Sequence, residues 1–332
     1  MQVQSRENTR QLSPRARSLW AKTGAEEMRH RFSPLYVHMS DSGQTMRHLW
    51  REWLPVSIKQ LVTRNLELDE VSAENTLAWL AAVHDIGKAT PGFQCKNSDL
   101  AERVEEQGLP IPADMNAGHV KHAVMGQIIL ERWIARRGWA QVYKGDTRPA
   151  ERTYAVVIGG HHGAPPSASE YNDYKKPLKQ KYFGGEEWQA VQLELLEWAW
   201  NTTGASAAEK RLQVSSLSPQ TQMIVTGLVI MTDWIASNTD YFPLINSLNS
   251  EEEAERRGAD AWRRLSLPAS WKAIPPQRDS ETLFHCRFPK LPDEARLRPV
   301  QEMALKVSSQ AEKPCMIIIE APMGNGKTEA SL

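Results

Sequence analysis

The chain has 332 residues, 41% hydrophobic and 24% charged, a globular balance that excludes wholesale disorder and a collagen-like chain and accommodates about two domains. Lys+Arg and Asp+Glu are 40 each, so the formal net charge is +0, which excludes a uniformly basic nucleic-acid coat but leaves room for a local basic groove. Cys95, Cys286 and Cys315 form no CxxC pair, and the longest apolar runs, such as Met223–Met231, fall far short of the roughly 18 residues of a membrane span.

The N-terminal MQVQSRENTR has no apolar h-region, so no signal peptide is expected; the reading is a cytoplasmic monomer with no membrane partner. Residues 1–34 open polar and basic. From there to about residue 242 a helical pattern dominates. Segments 45–66, 72–87, 118–137, 186–201 and 216–238 carry apolar residues at spacings of three and four. Pro/Gly-rich breaks fall at 108–114 and 159–166. Most of the 12 tryptophans are expected in the core or at an interface. Residues 243–300, rich in Pro, Arg and Glu, read as a linker with one or two short helices. The β-branched run Cys315–Glu320 reads as a buried strand, and the chain stops at Leu332 a few residues into an expected helix. The expected fold class is mainly α: a helical bundle over 1–242, the linker, and over 301–332 the opening of an α/β domain that is cut off.

Chemistry concentrates in the histidines. Leu77, Leu80, Ala81 and His84 share one helical face, so His84 extends an apolar stripe inward, with Asp85 beside it and Gly87 placed to end the helix as its C′ residue. An imidazole and a carboxylate suit a first-row divalent metal, and a carboxylate can bridge two. The plain alternative is a core histidine beside a surface aspartate. His161 and His162 follow the apolar run Ala155–Gly160; both can reach one site only if the backbone turns, which the flanking glycines permit, and otherwise they form a surface turn. In GHVKHAVMG, either His119 or His122 can serve as ligand; His122 is preferred because Gly126, four residues on, admits a neighbouring element. Asp233 lies on the apolar helix from Met223, where an ionised carboxylate is costly unless paired, capping or metal-bound; Ser237 sits one turn further on the same face. His38 alone is a weak signal, with Asp41 placed to orient it. Five histidines and two aspartates are enough for two metals bridged by Asp85, and such a pair suits phosphoester hydrolysis.

The ordered set H…HD…H…HH…D resembles the HD superfamily of metal-dependent phosphohydrolases. With LWAK at 19–22, SPLYVH at 33–38, VHDIGKATPGFQ, KHAVMG, GGHHG and TDWIAS, it resembles more specifically the CRISPR-associated nuclease–helicases of type I interference systems, over residues 19 to about 240 and again at the carboxyl end. The resemblance implies an HD bundle that holds two divalent ions and cuts single-stranded DNA in antiviral defence. It implies metal ligands His38, His84, Asp85, His122, His161, His162 and Asp233, with Asp85 bridging, Ser237 near the scissile phosphate and Lys88 helping to neutralise it. Imidazole-rich ligation favours Fe, Mn, Co or Ni, with Mg also admissible. The implied partners are single-stranded DNA and an RNA-guided surveillance complex.

APMGNGKT at 321–328 fits a Walker A loop with Ala321 in place of the first glycine: backbone amides around Gly324 and Gly326 cradle phosphates, Lys327 reaches the β/γ-phosphates and Thr328 binds Mg²⁺. Together with RPVQ at 298–301 it resembles superfamily 2 helicases, in which the glutamine, here Gln301, reads adenine. ATP with Mg belongs to full-length relatives; with no Walker B acid to follow, the expectation is a helicase part without ATP turnover. Tyr174–Phe183 gathers Lys175, Lys176, Lys179 and Lys181 with three aromatics, either a path for single-stranded DNA or a solvated loop. The competing readings are a phosphohydrolase acting on nucleotides and a non-catalytic docking fragment.

Overall fold

The computed structural model describes residues 11–24, 31–115, 118, 120–139, 150–268, 279–292, 294–311 and 315–331, the side chains of 150–152 excepted. The chain divides into two compact units, Met1–Ser270 and Trp271–Leu332. The first is mainly α. Its elements are β1 (Trp20–Thr23), β2 (Phe32–Pro34), α1 (Leu35–His48), α2 (Val56–Leu66), α3 (Glu70–Val83), α4 (His122–Arg136), α5 (Ala150–Gly159), α6 (Glu186–Thr202), α7 (Pro219–Ser237) and α8 (Glu251–Leu265), with shorter helices between. β1 and β2 pair antiparallel, the sole sheet among the described residues.

α3 is the central element. Asp69 caps it by accepting from the Ser72 amide at 2.9 Å, and Leu77 through Val83 are buried without interruption. The single apolar stripe expected from the sequence is therefore a helix covered on every side, with α1 as its principal neighbour. α7 packs on both α1 and α5, and α5 on α4. A core of Trp79, Trp133, Trp139 and Trp200 fixes how α3, α4 and α6 meet; the Trp79 and Trp200 rings lie 4.9 Å apart, edge to face. The segment expected as one helix over 45–66 is interrupted: a π-helical turn at Leu49–Trp53 precedes Pro55, which ends one helix and starts the next.

Two expectations change at the carboxyl side. Within 243–300, read as a linker, residues up to 268 fall in the first unit; α8 packs on α1, and Arg257 makes a two-pronged pair with buried Asp41 at 2.8 and 3.1 Å. In the second unit Cys315–Glu320 forms no strand. A strand exists through a ladder with a neighbour, and the described residues give this run none, so Met316 and Ile318 are exposed. The unit holds α9 (Pro299–Ser309) and α10 (Lys327–Ala330), the latter opening directly after Gly324 and Gly326, both at φ +79°.

Candidate metal centre

α3 ends at Val83, and His84 is its C-cap. Its Nδ1 lies 2.7 Å from the last-turn carbonyl of Ala81, which also accepts from the His84 amide at 3.5 Å. A carbonyl only accepts, so Nδ1 must carry a proton, and in the neutral ring Nε2 is then a bare lone pair. The end of α5 repeats the device: His161 Nδ1 donates to Ile158 O at 2.6 Å. His38, on α1 and fully buried, completes the innermost set.

All three Nε2 atoms are buried without a hydrogen-bond partner, as is Asp85 Oδ1. They surround Asp85, whose two oxygens face different groups. Oδ2 lies 3.0 Å from His38 Nε2 and 3.4 Å from His84 Nε2. Oδ1 lies 3.2 Å from His122 Nε2 and 3.6 Å from His161 Nε2. Asp233 closes the first group, its Oδ1 3.4 Å from His84 and 3.7 Å from His38. His162 closes the second, its Nε2 3.0 Å from that of His122. The donor atoms of His38, His84, Asp85 and Asp233 lie within 4.8 Å of one another, as do those of His122, His161 and His162. Orphaned buried donors converging on shared points are the arrangement a cation satisfies, and imidazole with carboxylate is the donor chemistry of divalent first-row metals.

The electrostatics agree with a cation site. Burial, reinforced by the Lys22 ammonium, pushes His38 down to about 3, and burial with the charge on His84 pushes His161 down to about 3. Burial also opposes charge on His84, but Asp85 and Asp233 outweigh it and hold its pKa up at about 10. Asp85, despite burial, is held well below the usual carboxylate range by Lys88 and His84, and Asp233 is held down by His84 in spite of its own burial. Two carboxylates held in the charged form among buried imidazoles thus favour a cation.

Residues 20–242 match the family model described as Cas3, HD domain. The chain belongs to the Cas3 HD-domain family. It is 29% identical to the CRISPR-associated nuclease/helicase Cas3 of Streptococcus thermophilus, with 94% of this chain covering 34% of that protein. It is 31% identical to the CRISPR-associated endonuclease/helicase Cas3 of Thermus thermophilus, with 96% of this chain covering 32% of that one. The chain therefore spans about a third of the length of these relatives. Among solved structures it is similar to the Thermus thermophilus Cas3 HD domain crystallised in the presence of Ni²⁺, at 27% identity and TM-score 0.54, covering 79% of this chain and 95% of that one.

In this Cas3 HD domain several details differ from the reading of the sequence. Gly87 is not a left-handed C′ residue; it lies in the 3₁₀ turn Ile86–Lys88, where a Cβ would sit 1.9 Å from His122 O and 2.7 Å from Gly126 N. Its smallness lets the His84–Asp85 turn touch α4, and Gly126 faces it. Asp41 does not orient His38; it faces Arg257. Ser237 Oγ donates to Asp233 Oδ1 at 2.8 Å. Lys88 Nζ lies 2.7 Å from Asp85 Oδ2 and 3.2 Å from Ala21 O, and is held against the Asp85 carboxylate. His119 falls outside the described residues. Of the lysines in the segment 174–183, Lys176 and Lys181 pair with Asp173 and Asp114, and Lys175 lies over the Tyr171 ring.

Two participants were not singled out from the sequence. Gln94, fully buried, accepts from the Trp20 amide and donates to the Trp20 and Lys88 carbonyls. Lys22 reaches from β1 to the Ala236 carbonyl, and burial lowers its pKa to about 8. The available signal for each was its place in a quoted run, Gln94 in VHDIGKATPGFQ and Lys22 in LWAK.

In the second unit Lys327 Nζ donates to the Ala321 and Pro322 carbonyls, and Gln301 Nε2 donates to Gly326 O at 3.3 Å, so Gln301 touches the glycine loop itself.

Proposed function

We propose that the first unit is a two-metal nuclease that hydrolyses phosphodiesters of single-stranded DNA delivered by an RNA-guided CRISPR surveillance complex. The observation that supports it is the division of labour at Asp85: one oxygen faces His38 and His84, the other His122 and His161. One ion is assigned to His38, His84, Asp85 and Asp233, the other to Asp85, His122, His161 and His162. Bound ions supply Lewis acidity to both ends of a phosphoryl displacement. The chain's own groups do the rest. Ala81 O and Ile158 O keep His84 and His161 in the tautomer that offers Nε2. Lys88 keeps Asp85 ionised and fixes its rotation. Ser237 holds Asp233 toward the first group while lying exposed at the rim, where a phosphate enters. Imidazole predominance favours Fe, Mn, Co or Ni over Mg. The partner assignment rests on the CRISPR-associated relatives. Gln301, Gly324, Gly326, Lys327 and Thr328 are assigned to a nucleotide, for whose phosphates Lys327 would exchange its two carbonyl partners.

Metal analysis of anaerobically purified protein, with cleavage assays across divalent ions on single-stranded DNA and on cyclic or triphosphate nucleotides, tests this. The expected result is two ions per chain and DNA cleavage that Asp85→Asn abolishes with the fold retained. Hydrolysis confined to nucleotides, or DNA cleavage surviving Asp85→Asn, overturns it.

A further inference from the structure

β1 is joined to the turn that carries His84 and Asp85 from two sides. Lys88 donates to Ala21 O at 3.2 Å, and Gln94 binds both the amide and the carbonyl of Trp20, at 3.1 and 2.9 Å, while also donating to Lys88 O at 2.9 Å. One residue on from Ala21, Lys22 leaves the strand toward α7 and donates to Ala236 O. That carbonyl lies in the last turn of α7, where the helix supplies no amide to accept from. Asp233 occupies the same turn, three residues earlier.

Asp233 and Asp85 face the same two imidazoles, those of His38 and His84. Asp85 is locked inside, 2% exposed, whereas Asp233 is 16% exposed at the end of its helix. Lys22 places a positive charge within electrostatic reach of Asp233, Asp85 and Asp41. It also supplies a bond to the turn that bears Asp233. Its ammonium is turned to a backbone carbonyl, as in a helix cap.

We propose that Lys22 is a positioning residue for the first metal group, clamping the last turn of α7 to β1 so that Asp233 stays on the ion shared with His38 and His84. This rests on the two-metal reading and adds a selectivity to it: losing the clamp weakens one ion and spares the other, whose ligands beside the shared Asp85 come from α4 and the end of α5.

The test is titration of the full chain with Co²⁺ alone, followed by calorimetry and by d–d absorption, in Lys22→Met, Lys22→Arg and the reference variants Asp233→Ala and His162→Ala. In Lys22→Met the ion whose loss defines Asp233→Ala is expected to weaken about 10- to 100-fold, the effect of removing a group that orients a ligand, while the ion lost in His162→Ala keeps its affinity. Lys22→Arg, which restores a cationic donor, is expected to recover most of the loss. Two unchanged affinities in Lys22→Met overturn the proposal, whether or not the KM for single-stranded DNA rises; a raised KM would mark a substrate contact instead. Equal weakening of both ions also overturns it, as general loosening of the fold. If the unsubstituted protein binds no Co²⁺, the two-metal reading falls and this inference with it, whereas two tight ions in that protein leave only the clamp at stake. Should Lys22→Met fail to fold, Lys22→Gln, which loses the charge but keeps a polar end, is titrated against the same expectations.

Discussion

Gly87→Ala is the sharpest perturbation the geometry offers, because the added methyl meets backbone rather than a side chain able to rotate away. Its Cβ would lie 1.9 Å from His122 O and 2.7 Å from Gly126 N, against an ordinary contact beginning near 3.4 Å. The turn and the first residue of α4 must therefore part by about 1.5 Å. Gly87 is not in the left-handed region, so the cost is one of space and not of backbone conformation. Overpacking of a well-filled interior costs about 1–3 kcal/mol and occasionally more; a contact this short against backbone belongs at the upper end. At about 2–4 °C per kcal/mol for a unit of this size, the melting temperature should fall by roughly 6–12 °C. The same movement carries His122 away from Asp85, now 3.2 Å distant, so the second ion should be lost first. Gly126→Ala supplies the control from the other side of the contact. Its nearest neighbours would be Gly87 N at 3.2 Å and His84 O at 3.5 Å, and a helix gains about 1 kcal/mol from alanine in place of glycine, so it should be near neutral. Thermal unfolding and metal titration of the two variants decide the matter. Equal melting temperatures and two tight ions in both would refute the reasoning.

Two further outcomes follow from charge. Arg257→Met strands the carboxylate of Asp41, which is 3% exposed, and should cost about 3–5 kcal/mol by denaturant titration, much of it recovered in an Asp41→Asn/Arg257→Met double variant. Glu170, which completes the capping box of Ser167 and pairs with Lys121, has its pKa lowered from 4.5 to about 2. Its depressed folded-state pKa makes its contribution present above about pH 4.5 and lost as pH falls through about 2. The difference in melting temperature between the unsubstituted protein and Glu170→Gln should therefore be visible at pH 6 and shrink steadily toward pH 2; a difference that persists at pH 2 would show that Glu170 acts through something other than its charge.

What the sequence made legible was periodic or chemically singular. A stripe of apolar residues ending in His84–Asp85 announces a helix delivering donors to the interior, and paired histidines beside glycines announce a turn; both are local patterns, and the structure brings those side chains together at Asp85. What stayed hidden depended on distant partners. Gly87 reads as a helix terminator because nothing within the motif tells that His122 O will lie against it. Asp41 reads as a companion of His38 because they are one turn apart, while its actual partner stands 216 positions away on a helix that looked like linker. The run Cys315–Glu320 has the composition of a strand, but composition does not supply the neighbour with which a ladder is made.

The hydrogen bonds from His84 and His161 to the closing carbonyls of their helices carry one more implication. Neither imidazole can swing out without giving up its short bond to a backbone acceptor, so little rotamer freedom remains to be surrendered when an ion arrives. Conversely, an ion that grips those rings staples shut two helix ends that would otherwise fray, and amide exchange at residues 84, 85 and 161 should slow on loading more than anywhere else in the bundle.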